Sequence, residues 1–148
     1  MIILRGDYYL DKLNHSYGFL LGKALQQMED KFANALSPIN IDARQYGILL
    51  FIKDNPNSSQ KTISERLQID RTSMVSHVDH LESLNFVKRT KNPYDRRAYS
   101  LVITKKGSDV LESCWNLLQS IELEVLSPIT KQEKETLKKT LLKIWKSI

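Results

Sequence analysis

The sequence predicts a mainly helical fold carrying one small β-hairpin, and three observations predict it. Apolar residues recur every three or four positions through most of the 148 residues. Helix-start and helix-stop signals cut that periodicity into separate segments. One stretch, 86–103, replaces it with β-branched and aromatic residues on either side of a turn-rich centre. With 41% hydrophobic and 26% charged side chains, the chain can bury a core and is not disordered.

The elements follow in order. From Tyr8 to Leu36, an apolar stripe through Leu13, Tyr17, Leu21, Leu25, Met28 and Phe32 predicts one amphipathic helix, roughly 40 Å long at 1.5 Å per residue. Ser37-Pro38 ends it, because a residue before proline avoids the α region. Asp42 with Gln45 reads as a capping box that opens a second helix burying Tyr46, Leu49, Leu50 and Ile52. The run from Asp54 to Ser59 is rich in turn formers and reads as a loop. Two short helical patterns follow almost without a gap. Ile63, Leu67 and Ile69 anchor the first; Asp70 caps the second, with Met74, Val78, Leu81 and Leu84 on one stripe. Two helices and a tight turn make a helix-turn-helix, closed by Asn85 in the left-handed conformation.

Residues 86–90 and 98–103 then pair as a hairpin whose tip, Lys91 to Arg97, is basic. Thr104 caps a helix burying Leu111, Cys114, Leu118 and Ile121, and Ser127-Pro128 stops it. Thr130 with Glu133 is a second capping box, opening a last helix with Leu137, Leu141, Ile144 and Trp145 on its apolar side. A helix-turn-helix followed directly by a basic hairpin is a winged helix. The expected organisation is a single domain over 1–148, with a winged helix-turn-helix lobe at 42–104 and pairing helices at 8–36 and 105–148.

Charge and composition narrow the function. The net charge of +5 is not spread along the chain: residues 61–106 hold ten basic and five acidic side chains, whereas 1–60 and 107–148 are each balanced. A face that meets a polyanion is expected in the middle third. The single cysteine, Cys114, supplies neither a disulfide pair nor a zinc pair. The run Met1-Ile2-Ile3-Leu4 is broken by Arg5 and Asp7, so no membrane span or signal peptide is expected, and the cytoplasm is the expected location. The sequence has no His-Glu-x-x-His, no glycine-rich phosphate loop and no Gly-x-Ser-x-Gly, so an enzyme is not expected, nor is a cofactor.

A recognition helix needs one face for its own domain and the opposite face for base edges in the major groove. Thr72, Ser76 and Ser83 fall nearly opposite Met74, with Asp79 and His80 flanking them. Arg71, Thr72, Ser73 and Ser76 are small or basic near the helix start, where free N–H groups also favour a phosphate. In the hairpin, Lys88, Arg89, Lys91, Arg96 and Arg97 against Asp95 give +4 over ten residues, on a projection that reaches toward a minor groove. Phosphate contacts are expected from Lys61, Arg71, Lys88, Arg89, Lys91 and the pair Lys105-Lys106. Groove readout is expected from Thr72, Ser73, Ser76, His80 and Arg97.

These residues resemble those of the MarR-type regulators, winged-helix repressors or activators. The likeness lies in 70–82, in Phe86-Val87-Lys88-Arg89, in Asn92-Pro93-Tyr94-Asp95-Arg96-Arg97 and in the run from Leu101 to Gly107, and it extends over the whole chain. Its most specific part is the wing, where the pattern Asp-x-Arg, a short strand, Leu-Thr and a glycine is met by Asp95, Arg97, Ile103-Thr104 and Gly107. Ser76 and His80 stand where many members have arginine, and Asn85 where they have glycine. The resemblance implies that Arg97 enters the minor groove with its guanidinium held by Asp95, an ion pair suited to a planar fork. It also implies a homodimer on a near-palindromic operator. That agrees with the terminal helices, which carry more apolar stripe than one small winged helix covers.

Three smaller expectations remain. Relatives of this type bind small aromatic or phenolic effectors, and His15, Tyr17, Phe19, Tyr46 and Trp115 are the candidate lining residues here. His77 and His80, three apart on a helix, lack further ligands for a metal. Cys114 lies on an apolar stripe and reads as a buried, inert thiol. The rival to a DNA-binding regulator is a winged-helix protein-interaction module, which would show a neutral or acidic recognition face.

Overall fold

The computed structural model describes residues 11–148. The opening apolar run and the part of the first predicted helix from Tyr8 to Leu10 lie outside those residues. The described part of that helix is not continuous: α1 (Asp11–Asn14) ends in a turn, and α2 (Tyr17–Leu36) starts afresh. The break comes from Ser16, whose hydroxyl accepts the Phe19 N–H at 3.2 Å and so caps α2. Pro38 turns the end of α2 into one 3-10 turn, Ser37–Ile39, closed by Asn40 at φ 59°.

Helix α3 (Ala43–Asp54) opens with the expected capping box: the Asp42 carboxylate accepts the Gln45 N–H at 2.7 Å, and the Gln45 side chain accepts the Asp42 N–H at 3.1 Å. The loop reading of 54–59 needs correction at its end. Ser58–Ser59 forms a short strand, β1, because Ser58 and Ser59 pair with Leu101 and Ser100. Helix α4 (Gln60–Leu67) ends at Gln68, which takes the left-handed conformation at φ 54°, and α5 (Arg71–Ser83) starts after the Asp70 cap. Asn85 at φ 60° closes α5 as expected. Strands β2 (Val87–Lys91) and β3 (Tyr99–Ile103) complete a three-stranded antiparallel sheet in the order β1-β3-β2. Helices α6 (Lys105–Val125) and α7 (Lys131–Lys146) follow, the latter behind the Thr130–Glu133 capping box.

Residues 32–119 form one compact unit, and 120–148 with the residues up to 31 form another. The central unit has a true core. Leu36, Ile48, Leu49, Ile52, Ile63, Met74, Val78 and Leu81 are wholly buried, together with Val87 and Leu101 from the sheet. Thr104 locks the sheet to α6: its hydroxyl donates to the Asn85 carbonyl at 2.6 Å and accepts the Gly107 N–H at 3.0 Å. Glycine is required at 107, since a Cβ there would collide with the Phe86 carbonyl oxygen. In the terminal unit Ile121 is the one apolar side chain that is buried among the described residues. Leu20, Leu21, Leu25, Leu123, Leu142, Ile144 and Trp145 are all exposed. No helix among the described residues is long and apolar enough to cross a membrane.

Candidate nucleic-acid interface

Helix α5 divides as its helical phase requires. Met74, Val78 and Leu81 are buried, while Arg71, Thr72, Ser76 and Ser83 are exposed. The helix start is set by Asp70, whose carboxylate accepts the Ser73 N–H at 2.8 Å. Bonds from the Ser73 hydroxyl and N–H hold the Asp70 carboxyl below its ordinary range. Ser73 is thereby engaged in the cap, and Arg71, Thr72 and Ser76 are left as the exposed polar side chains of the first two turns.

The cations of this region fall into two groups. Arg71, Lys88, Lys91, Arg96 and Arg97 are exposed and make no ion pair among the described residues. Lys61 is also exposed, with Glu65 one turn away at 4.0 Å. Arg89 differs from the expectation of a phosphate contact. It shares the core-facing side of β2 with Val87, the side chain is only 18% exposed, and its guanidinium bonds Asp79 at 2.6 Å, Glu82 at 3.0 Å and the Gln60 side chain at 3.3 Å. The Arg89 N–H also donates to Glu82, at 3.1 Å. Arg89 therefore fastens the wing to α5 and pairs with both acidic side chains of this helix, cancelling one of their two negative charges. Lys106 is diverted as well: its ammonium donates to the Leu84 carbonyl at 3.2 Å and lies 5.4 Å from the Phe86 ring centre. Lys105 is paired with Asp109 at 3.4 Å.

Two further expectations are corrected. His80 does not stand free on the reading face: its Nε2 bonds the Asn40 carbonyl at 2.7 Å and links α5 to the 3-10 turn. Asp95 does not grip the Arg97 guanidinium. Its carboxylate accepts the Arg97 backbone N–H at 2.9 Å, and the Asp95 carbonyl accepts from Ala98 at 3.1 Å. Asn92 makes the same kind of turn with the Tyr94 N–H at 2.9 Å. The tip is thus shaped by two side-chain-to-backbone turns, which leave the Arg97 guanidinium free. Tyr94, 97% exposed, projects from it beside Arg96. Neither Tyr94 nor Val75, which is 44% exposed on α5, stood out in the sequence. The available signal for Val75 was its phase, between Arg71 and Asp79, which are both polar.

The proposed effector residues do not share one unit. His15, Tyr17 and Phe19 lie in the terminal unit, with His15 near Asp11 at 3.4 Å and Tyr17 almost fully exposed. Tyr46 is core, not lining: it is buried, and its hydroxyl donates to the Leu111 carbonyl at 3.2 Å. Burial, with Cys114 nearby, pushes its pKa up to about 12. Trp115 is half-exposed and lines a groove of about 390 Å³ with Leu50, Lys53, Leu111 and Glu112. His77 faces Gln45 at 3.3 Å, and no cluster of three metal-ligating side chains occurs among the described residues. Cys114 is buried and unpaired by disulfide.

The comparisons with known proteins point one way. Residues 39–98 match the model of the MarR family. The chain is 32% identical over 123 residues to the HTH-type transcriptional regulator PrsX of Escherichia coli, covering 74% of each chain. Its fold is similar to that of the transcriptional repressor CouR bound to a 23-mer DNA duplex, with a TM-score of 0.86 and 26% identity, covering 94% of this chain and 99% of that one. It is likewise similar to a mutant MarR from Escherichia coli complexed with operator DNA, with a TM-score of 0.81 and 26% identity over 93% and 99% of the two chains. These relatives are regulators and not enzymes. The chain belongs to the MarR family of winged-helix transcriptional regulators.

Proposed function

We propose that the protein binds duplex DNA as a homodimer, on a near-palindromic operator, and acts in the cytoplasm as a repressor released by a small aromatic or phenolic compound. One observation carries the reading. Around the exposed face of α5 and along the wing, five cations lie unpaired, while the two acids of the helix share Arg89 and keep one net negative charge between them. That arrangement leaves a net positive surface with a compact, uncharged centre, which suits phosphate contacts around base contacts. Arg97 is assigned to the minor groove, Arg71 and Lys88 to phosphates, with Lys61, Lys91 and Arg96 extending the positive rim. Thr72 and Ser76 are assigned to base edges.

The terminal unit supports the dimer. Its helices keep an apolar groove of about 500 Å³ lined by Met28, Leu123, Leu126, Leu137, Leu142 and Trp145, and a second copy of the same helices is the natural cover. Two reading heads held this way address half-sites about one helical turn apart. An effector acts by favouring dimer forms whose recognition helices are wrongly spaced; the Trp115 groove is the candidate place for it.

Selection of bound duplexes from a random pool, with and without phenolic compounds, tests the reading. Enrichment of an inverted repeat is expected. Affinity should fall about a thousandfold between 50 and 200 mM salt if six or more phosphates are neutralised. A flat salt response, or no enriched duplex, would favour an interaction module instead.

A further inference from the structure

Across residues 32–93, Val75 is the single large apolar side chain left exposed among the described residues, and it sits on the flank of α5, about 100° round the helix from buried Met74 and beside the outward face of Thr72, Ser76 and Ser83. Thr72 lies three residues before it and Asp79 four after, on the same side of the helix. The neighbouring Asp79 carboxylate is turned to Arg89, which it bonds at 2.6 Å. A β-branched side chain in a helix has one strongly preferred rotamer, so Val75 presents its two methyl groups in a fixed direction. In the major groove the one apolar feature on any base edge is the C5 methyl group of thymine. We propose that Val75 is a specificity-determining residue that packs on a thymine methyl in each half-site. The inference rests on the DNA-binding reading above and names the base chemistry that the helix seeks.

The test uses the intact protein and duplexes recovered from the random pool. Each thymine of the enriched half-site is replaced in turn by deoxyuridine, which lacks only the C5 methyl. One position per half-site is expected where the wild-type protein loses about fourfold in affinity, the value of one methyl group removed from water. In Val75→Ser that penalty should vanish, and in Val75→Ala it should shrink. Both substitutions are on an exposed position, so unchanged thermal unfolding is expected and separates a lost contact from a lost fold. If the wild type binds its duplex and no thymine is sensitive to methyl removal, or if the penalty persists unchanged in Val75→Ser, the inference is overturned while the DNA reading stands. If the wild type enriches no duplex at all, both fall.

Discussion

In residues 32–119 most of the large apolar side chains turn inward, from Leu36 through Leu81 to Leu118, whereas in the terminal unit Ile121 is the one buried among those described. The central unit has its own core, and around α5 and the wing it exposes the cations Arg71, Lys88, Lys91, Arg96 and Arg97. The terminal unit exposes Leu20, Leu25, Leu142 and Trp145. The difference teaches that the two surfaces need different partners. An apolar face of this size is covered by something apolar, and a free cationic face by an anion.

Substitutions can break or sharpen that contrast. The largest effect is expected from Leu142→Glu, which puts a charge into the apolar groove of the terminal unit. Sedimentation should show a monomer, and operator affinity should drop about 10²-fold or more as the linked second head is lost. Unchanged association would remove the terminal helices from the interface. Gly107→Ala comes next. Its Cβ must displace the Phe86 carbonyl, and a loss of about 3 kcal/mol in denaturant unfolding is expected from overpacking.

Arg89→Ala and Arg97→Ala remove the same charge from one hairpin and should do opposite things. Arg89→Ala is expected to lower stability by about 2 kcal/mol, since a mostly buried guanidinium leaves Asp79 and Glu82 without a partner. Arg97→Ala should leave unfolding unchanged, weaken DNA binding by about 1–3 kcal/mol and reduce the salt slope by about one. Equal effects of both on stability would erase the distinction between spent and free cations.

The smallest effect belongs to Tyr46→Phe, which deletes one buried hydrogen bond to Leu111 and should cost about 1 kcal/mol. Because burial raises the Tyr46 pKa from 10.0 to about 12, its neutral form is the one the fold favours. Its contribution is fully present below pH 10 and is lost as pH rises toward 12. Unfolding of the wild type followed over that window, against Tyr46→Phe, checks the sign.

What was legible in the sequence was local. Asp42 with Gln45, and Thr130 with Glu133, announce helix starts because donor and acceptor lie three residues apart, and both boxes form. Asn85 closes α5 for an equally local reason. Gly107 was read as part of a pattern, but its physical cause, the Phe86 carbonyl, lies across a hairpin. The misreadings share one origin. Ser58 and Ser59 are a strand only because Leu101 and Ser100 arrive beside them. Ser16 looks like any helical serine until its hydroxyl takes the Phe19 N–H. Arg89 carries the same charge as Arg97, and what separates them is a pair of carboxylates seven and ten residues upstream, delivered by the fold. His80 likewise meets a carbonyl forty residues away. Charge was visible along the chain; its partners were not.

The most direct test of the account is native mass spectrometry of the protein with its selected duplex at rising salt. Two chains per duplex, lost together and steeply as salt increases, is the predicted result. One chain per duplex, or a protein dimer that ignores the duplex at low salt, would contradict it.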